Sequence, residues 1–346
     1  MKKKVLIVDD SAVVRDLMYS ILSQDRDLDV IGSAPDPYIA RDKIVKYNPD
    51  VITLDVEMPR MDGITFLKKL MKHFPIPVVI VSSLTQEGAV TTMKAFEAGA
   101  IDVIAKPQMD ITKGMDLIAA QIIEKVKTAA SARVMKRDDR EETLNSHTRT
   151  IITRALAQST HKIIAIGAST GGTEAIREVL TRMPADTPGT VIVQHMPEKF
   201  TKAFAERLNE QCKVEVREAR EGDGVYPGVA LIAPGSHHMV LKRSGARYYV
   251  SLNQNPPVFH QRPSVEVLFE SVATYAGANA VGLIMTGMGA DGAKGLLTMK
   301  EAGARTIAQD EKSCVVFGMP KEAIKLGAAE KIVSLRDIPQ TLLSLI

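Results

Sequence analysis

The chain has 346 residues, with 44 Lys and Arg against 41 Asp and Glu, a hydrophobic share of 45%, no Trp and two Cys. That length accommodates two domains of ordinary size, and a formal net charge of +3 leaves no large single-sign field, which argues against nucleic acid as a partner. No apolar run reaches the ~18 residues a spanning helix needs, the basic Met1-Lys2-Lys3-Lys4 start leads into a short strand pattern and not a signal peptide, and Cys212 and Cys314 show no pairing pattern, so a soluble, cytoplasmic protein is expected.

In chain order, residues 1–125 carry four short apolar runs, each closed by polar residues. Lys4 to Val8 ends in Asp9-Asp10-Ser11, Val51 to Leu54 ends in Asp55, Val78 to Val81 ends in Ser82-Ser83, and Asp102 to Ala105 ends in Lys106-Pro107. Such runs suit strands of a parallel sheet covered on both faces, and their polar ends then crowd its carboxyl edge. Clustered carboxylates repel one another and need a cation; hard oxygen donors select Mg²⁺, which readily shares its coordination with a phosphate. A carboxylate beside that metal can act as nucleophile toward a phosphoryl group, and Asp55 is the candidate acceptor. Lys106 would pair with the phosphate as a point charge, and the Ser82 hydroxyl would donate to its oxygens. The bland alternative is a set of solvated turn acids and a surface lysine.

Residues 126–159 hold Lys136-Arg137-Asp138-Asp139-Arg140-Glu141-Glu142, many Ser and Thr, and little apolar periodicity, which predicts a solvated linker; its first residues could extend the preceding helix.

Residues 160–346 repeat the alternation of strand and helix. Lys162 to Ile166 leads into Gly167-Ala168-Ser169-Thr170-Gly171-Gly172, Gly189 to Val193 into Gln194-His195-Met196-Pro197, and Ala280 to Met285 into Thr286-Gly287-Met288-Gly289-Ala290-Asp291-Gly292, with a helical pattern over Thr173 to Thr181. If the three strands share a parallel sheet, Ser169, His195 and Asp291 meet at its carboxyl edge: a nucleophile, a base and an orienting acid. A serine hydroxyl needs a neighbouring imidazole to take its proton, and a carboxylate to hold that imidazole in the right tautomer. The order Ser, His, Asp differs from the three orders described for such triads, which argues against the common α/β-hydrolase fold. A Gly-rich turn before a helix also serves as an anion cradle or a plain tight turn, and both readings stay open on spacing alone. His237 and His238 are adjacent, so on a strand they face opposite ways and do not share a metal. Met285 and Met288 read as packing, Arg262-Pro263-Ser264 as a helix start with Pro in the first turn and Arg262 as a possible substrate contact, and His260 has no assigned role.

Both halves resemble known families. Residues 1–125 resemble a two-component response-regulator receiver domain of flavodoxin-like fold, the run Leu54-Asp55-Val56-Glu57-Met58-Pro59-Arg60-Met61-Asp62-Gly63 being its specific signature. Residues 160–346 resemble the catalytic domain of the chemotaxis protein-glutamate methylesterases, and the pairing of these two domains is that family's own architecture. The resemblance implies two doubly wound α/β domains, the second a Rossmann-like parallel-sheet serine esterase. It implies Asp55 as phosphoacceptor, Ser82 and Lys106 as switch residues, and Ser169, His195 and Asp291 as triad, with the Met288 N–H in the oxyanion hole. Mg²⁺ would then be bound by Asp10, Asp55 and the backbone carbonyl of Glu57, with Asp9 acting through water, while the esterase reaction needs no cofactor. The implied substrates are γ-glutamyl methyl esters, and specific glutamines, on cytoplasmic helices of chemoreceptors. A chemotaxis histidine kinase is the implied phosphodonor, and contact with the membrane runs only through the receptors. One departure is visible: Val103 stands three residues before Lys106, where receivers often carry an aromatic switch residue. Two competing readings remain: a non-enzymatic regulator whose second domain binds a partner or nucleotide at Gly171-Gly172, and a metal-independent amidase acting mainly on glutamine.

Overall fold

The computed structural model describes residues 2–58, 62–107, 115–132, 134 and 162–346. Pro59, Arg60 and Met61 of the signature run, and the charged segment of the expected linker, lie outside the described residues.

In the N-terminal half, strands β1 (Lys3–Val8), β2 (Leu28–Ala34), β3 (Val51–Asp55), β4 (Val78–Ser82) and β5 (Asp102–Ala105) alternate with helices α1 (Ala12–Leu22), α2 (Pro37–Tyr47), α3 (Gly63–His73), α4 (Gln86–Glu97) and α5 (Met115–Ala129). The strands form one parallel sheet in the order β2-β1-β3-β4-β5. Every residue of β3 and β4 is buried, as strands covered on both faces require. Helix α3 shows why the covering layer forms. The Asp62 side chain caps it by accepting the Thr65 N–H at 2.8 Å, and Phe66, Leu67, Leu70 and Met71 recur at helical spacing on its buried face. Strand β2 is half exposed at the sheet edge and offers no continuous apolar run, so the sequence pattern did not announce it. Helix α5 continues four residues past position 125.

In the C-terminal half the elements are β6 (Ile163–Ala168), α6 (Gly172–Leu180), β7 (Gly189–Gln194), α7 (Phe200–Asn209), β8 (Glu215–Glu218), β9 (Gly224–Val225), β10 (Val229–Ile232), β11 (His238–Ser244), β12 (Arg247–Asn253), α8 (Val265–Tyr275), β13 (Ala280–Ile284), α9 (Ala293–Glu301), β14 (Arg305–Gln309), α10 (Met319–Lys325), β15 (Lys331–Val333) and α11 (Ile338–Ser344). Seven strands make a parallel sheet in the order β15-β14-β13-β6-β7-β10-β8. Strand β6 lies in its middle, with β7 on one side and the much later β13 on the other, so the chain reverses its winding direction there. Open α/β sheets place ligands at that switch point. The N-terminal sheet has its own switch between β1 and β3. A second, antiparallel sheet, β11-β12-β9, belongs to the C-terminal half and had no counterpart in the sequence reading. Among the described residues, no helix is long and apolar enough to cross a membrane.

Candidate active site

The N-terminal carboxyl edge gathers the expected acids. One oxygen from each of Asp9, Asp10 and Asp55 lies within 4.8 Å of the others. Asp9 and Asp55 are buried and Asp10 is exposed. The Lys106 ammonium sits 2.6 Å from Asp55 Oδ2 and 3.4 Å from Asp9 Oδ2. Burial alone would lower the Lys106 pKa, but the two carboxylates outweigh it and hold it above its ordinary value. Asp9 moves the other way: burial, reinforced by the Asp55 charge, raises its pKa. Its Oδ2 is buried and accepts no hydrogen bond. An orphaned carboxylate oxygen in a cluster of three acids is the donor set a hard divalent cation fits. Glu57 donates its N–H to Asp55 Oδ1 at 2.9 Å, and Arg15 pins the carbonyls of Asp9 and Asp10 at 2.8 and 2.9 Å. Ser82 is buried next to Val81, the register partner of Asp55, and its hydroxyl is turned to the Gly88 carbonyl at 3.3 Å. Val103 is buried in β5.

The register of the C-terminal sheet brings the other trio together. Ala168 pairs with Gln194, Gly167 pairs with Ile284, and the Ser169 N–H donates to the Thr286 carbonyl at 3.0 Å. Ser169 therefore stands beside both neighbouring strand ends. Two glycines make this possible. Gly171, with φ of +77°, caps α6 in the left-handed region and has Val315 where a side chain would go. Gly287 leaves room for Ser169, whose Cβ lies 2.7 Å from where a Gly287 Cβ would stand.

His195 and Asp291 are 5% and 2% exposed, and His195 Nε2 lies 2.7 Å from Asp291 Oδ2. The carboxylate accepts three further hydrogen bonds, from Ser264 Oγ at 2.8 Å, the Val265 N–H at 2.8 Å and the Glu266 N–H at 2.9 Å. These come from the cap and first turn of α8, where a helix favours negative charge. Burial pushes the Asp291 pKa up, but the His195 contact and the donors outweigh it and hold it below its ordinary value. With an ionised acceptor at Nε2, that nitrogen carries the proton, and Nδ1 is left to accept one from a hydroxyl. Among the described residues, Ser169 Oγ makes no hydrogen bond to His195, but the two side chains line one cavity of about 180 Å³ together with Thr170, Met288 and Asp291. Neither the Thr170 N–H nor the Met288 N–H has a protein acceptor among the described residues, so two free donors stand beside the nucleophile. Neither cysteine competes for the role of nucleophile, since burial pushes Cys212 up to about 11 and Cys314 up to about 12.

The N-terminal half reaches this cavity. Glu124, Lys125 and Thr128 of α5 help to line it, and Thr128 Oγ1 lies against Met288 Sδ. The nucleophile turn is gripped directly. Thr170 Oγ1 donates to Asp102 Oδ2 at 2.5 Å, the Gly171 N–H donates to the Ile101 carbonyl at 3.0 Å, and Lys125 holds Asp102 Oδ1 at 2.6 Å. Farther out, Gln121 Nε2 donates to the His260 carbonyl at 2.8 Å, and Arg207 of α7 pairs with Glu97 of α4 at 2.5 Å.

Some residues around the site carried no sequence signal. Ser264 is the N-cap of α8, so Pro263 precedes the helix instead of opening it. Glu266 is buried beside Asp291 and accepts the Gly292 N–H at 3.0 Å; burial raises its pKa. Arg262 donates to the carbonyls of Gln254 and Asn255. Met285 is fully buried, whereas Met288 is 38% exposed, which departs from a packing role. Asx and Ser caps are visible in a sequence as helix starts, but what a cap holds across the fold is not.

Comparison with known proteins agrees with this geometry. Residues 164–342 match the family model described as CheB methylesterase, and residues 5–119 match the response regulator receiver domain. The chain is 58% identical over 345 residues to the protein-glutamate methylesterase/protein-glutamine glutaminase 2 of Syntrophus aciditrophicus, covering 100% of this chain and 99% of that one. It is 53% identical over 349 residues to the corresponding protein 1 of Geobacter metallireducens, covering 98% and 94%. The crystal structure of the Thermotoga maritima CheB methylesterase catalytic domain is 37% identical and superposes with a TM-score of 0.53, covering 54% of this chain and 100% of that one.

Proposed function

This chain belongs to the CheB methylesterase family, with a response regulator receiver domain ahead of the catalytic domain, and from that premise we propose that Ser169, His195 and Asp291 carry its chemistry under control of Asp55. The enzyme is a protein-glutamate methylesterase and protein-glutamine glutaminase of chemotaxis, regulated by phosphorylation. The observation that carries the site assignment is the buried His195–Asp291 pair facing Ser169 in a cleft that α5 lines from the other side.

Ser169 Oγ attacks the ester carbonyl carbon while its proton passes to His195 Nδ1, and Asp291 holds the resulting imidazolium through Nε2. The oxyanion develops toward the free Met288 and Thr170 N–H groups. The tetrahedral intermediate collapses by expelling the methoxy group, which leaves as methanol with the proton returned by His195. Water then attacks the acyl-enzyme with His195 again as base. Glutamate is released, and Ser169 recovers its proton. For a glutamine substrate the leaving group is ammonia.

In the receiver, residues 1 to about 129, Asp10, Asp55 and the Glu57 carbonyl would hold Mg²⁺, with Asp9 acting through water; the ion would neutralise charge on a phosphoryl group during transfer. The phosphodonor is a chemotaxis histidine kinase, and the substrates are methylated glutamates of cytoplasmic receptor helices. Phosphorylation replaces the single charge of the Asp55 carboxylate by nearly two on the phosphoryl oxygens, which re-engages Lys106, draws in Ser82 and biases the receiver between two packed arrangements. The arrangement seen here has α5 over the cleft and Asp102 on the nucleophile turn, which supports inhibition by the unphosphorylated receiver. Methanol release from methylated receptor, with and without a small phosphodonor, tests the reading. Activity should rise with the donor and stay low in Asp55→Asn; a donor response that survives in that variant would remove Asp55 from control.

A further inference from the structure

His238 opens β11 on the antiparallel sheet and is 1% exposed. Both of its ring nitrogens are engaged. The Ser264 N–H donates to Nδ1 at 3.2 Å, so Nδ1 carries no proton, and Nε2 faces the Pro256 carbonyl at 3.1 Å, to which it donates. The two contacts specify one neutral tautomer and leave no lone pair for a metal. Burial, with the Arg262 charge, depresses the pKa of His238 against the opposing hydrogen bond to the Pro256 carbonyl and the Asp291 charge.

Ser264, the residue His238 holds, is the N-cap of α8, and its hydroxyl donates to Asp291 Oδ1 at 2.8 Å. The next two N–H groups, of Val265 and Glu266, complete the grip on that carboxylate. An unbroken series of hydrogen bonds thus runs from His238 through Ser264 to Asp291 and on to His195. A cap residue is fixed by its own backbone as well as by its side chain, and the Ser264 N–H precedes the helix, where no intrahelical acceptor exists for it. Without His238 that buried donor is orphaned and the turn is free to shift.

We infer that His238 is a positioning residue of the triad: by accepting the Ser264 N–H it fixes the start of α8 and, through it, the angle at which Asp291 meets His195. Its role is geometric, and it touches neither substrate nor reacting atoms. The inference rests on the triad reading above, and Ser169→Ala in the same assay separates the two. Activity persisting in that variant would fail the triad; a dead Ser169→Ala beside an unaffected His238 variant would fail only this inference.

The experiment compares His238→Phe, which fills the site without an acceptor, with His238→Asn, whose Oδ1 can stand near the position of Nδ1. Both are assayed in the full chain, phosphorylated by a small phosphodonor, on methylated receptor. Misplacement of about 1 Å costs ~10²-fold in favourable cases, so His238→Phe should lower kcat by about 10- to 100-fold with KM changed by less than about twofold. His238→Asn should recover most of that loss. Nitrogen-15 spectra of the unmodified protein should show His238 as the neutral Nε2–H tautomer, a measurement that stands even if the Phe variant fails to fold. A kcat within twofold of the unmodified enzyme in His238→Phe, an Asn variant no better than the Phe variant, or an Nδ1–H tautomer would each overturn the assignment.

Discussion

The two carboxyl edges of this molecule are built on the same plan and filled with opposite electrostatics. Each lies at the switch point of a parallel sheet, and each presents a buried aspartate. Asp291 has every oxygen satisfied, by a histidine, a hydroxyl and two helix N–H groups, and its pKa is lowered. Asp9 keeps an orphaned oxygen and a raised pKa beside a second buried acid. The catalytic acid is held by donors at both oxygens, as suits a group that must orient a base, although Gln194 Oε1 beside it is a buried acceptor without a partner. The receiver edge is left wanting positive charge, which makes it sensitive to what binds there. A preorganised centre under a receiver that responds to charge is a workable division of labour for a regulated enzyme.

The largest effects should come from the catalytic edge, where the three groups act as a unit. Ser169→Ala and His195→Ala are each expected to lower kcat for methanol release by ~10³-fold or more, with Asp291→Asn less severe, because losing the orienting acid leaves nucleophile and base in place. Circular dichroism should report retained folding. A Ser169→Ala enzyme with near full activity would dissolve the contrast, since the edge would then be merely well satisfied.

An intermediate effect is expected where the edges meet. The Asp102–Thr170 hydrogen bond joins receiver to nucleophile turn, is buried, and involves a carboxylate. Hydrogen bonds to charged groups contribute about 1.5–3 kcal/mol, so Asp102→Ala should raise the basal activity of the unphosphorylated full chain by about tenfold or more. Deleting residues 1 to about 150 should raise it at least as far. Basal rates that stay flat in Asp102→Ala would mean that the cover is held elsewhere, with the Arg207–Glu97 pair the next contact to break. A truncated domain less active than the intact, unphosphorylated chain would reverse the picture and make the receiver an assembler of the site.

How far this was legible beforehand follows from where each signal resides. Strands buried on both faces tend to announce themselves as short apolar runs, and the seven expected ones correspond to β1, β3, β4, β5, β6, β7 and β13, with ends shifted by at most two residues. Ser169, His195 and Asp291 were visible because each follows such a run. Strands β2, β11 and β12 were not, since half-exposed strands carry mixed patterns, while β10 and β14, largely buried but only four or five residues long, did not stand out from their surroundings. Ser264, Glu266 and His238 escaped because their importance is a relation between distant segments: His238 and Ser264 are ordinary residues until the antiparallel sheet folds against α8. The grip of Asp102 on Thr170 was equally hidden, 68 residues apart in the chain.

The smallest effect is the sharpest test of the contrast, because it concerns sign. Asp9 binds its proton more tightly folded than unfolded, so its contribution to stability falls as pH rises from the ordinary 3.8 through the raised folded value. Near neutrality the ionised carboxylate is then a net cost in the metal-free protein. Asp9→Asn keeps an acceptor for the Ser11 N–H, 2.9 Å from Oδ1, and removes the charge facing Asp55. It should therefore raise the receiver's melting temperature at pH 7 in the presence of a chelator, while impairing Mg²⁺-dependent phosphorylation. Asp291 has the opposite sign: its lowered pKa supplies stability that is present above the ordinary carboxylate value and is lost only as pH falls through the folded one. Asp291→Asn should accordingly lower the melting temperature of the catalytic domain at pH 7. Differential scanning calorimetry on the two variants decides the matter. If both substitutions shift stability in the same direction, the two edges do not differ in the way their hydrogen bonding implies.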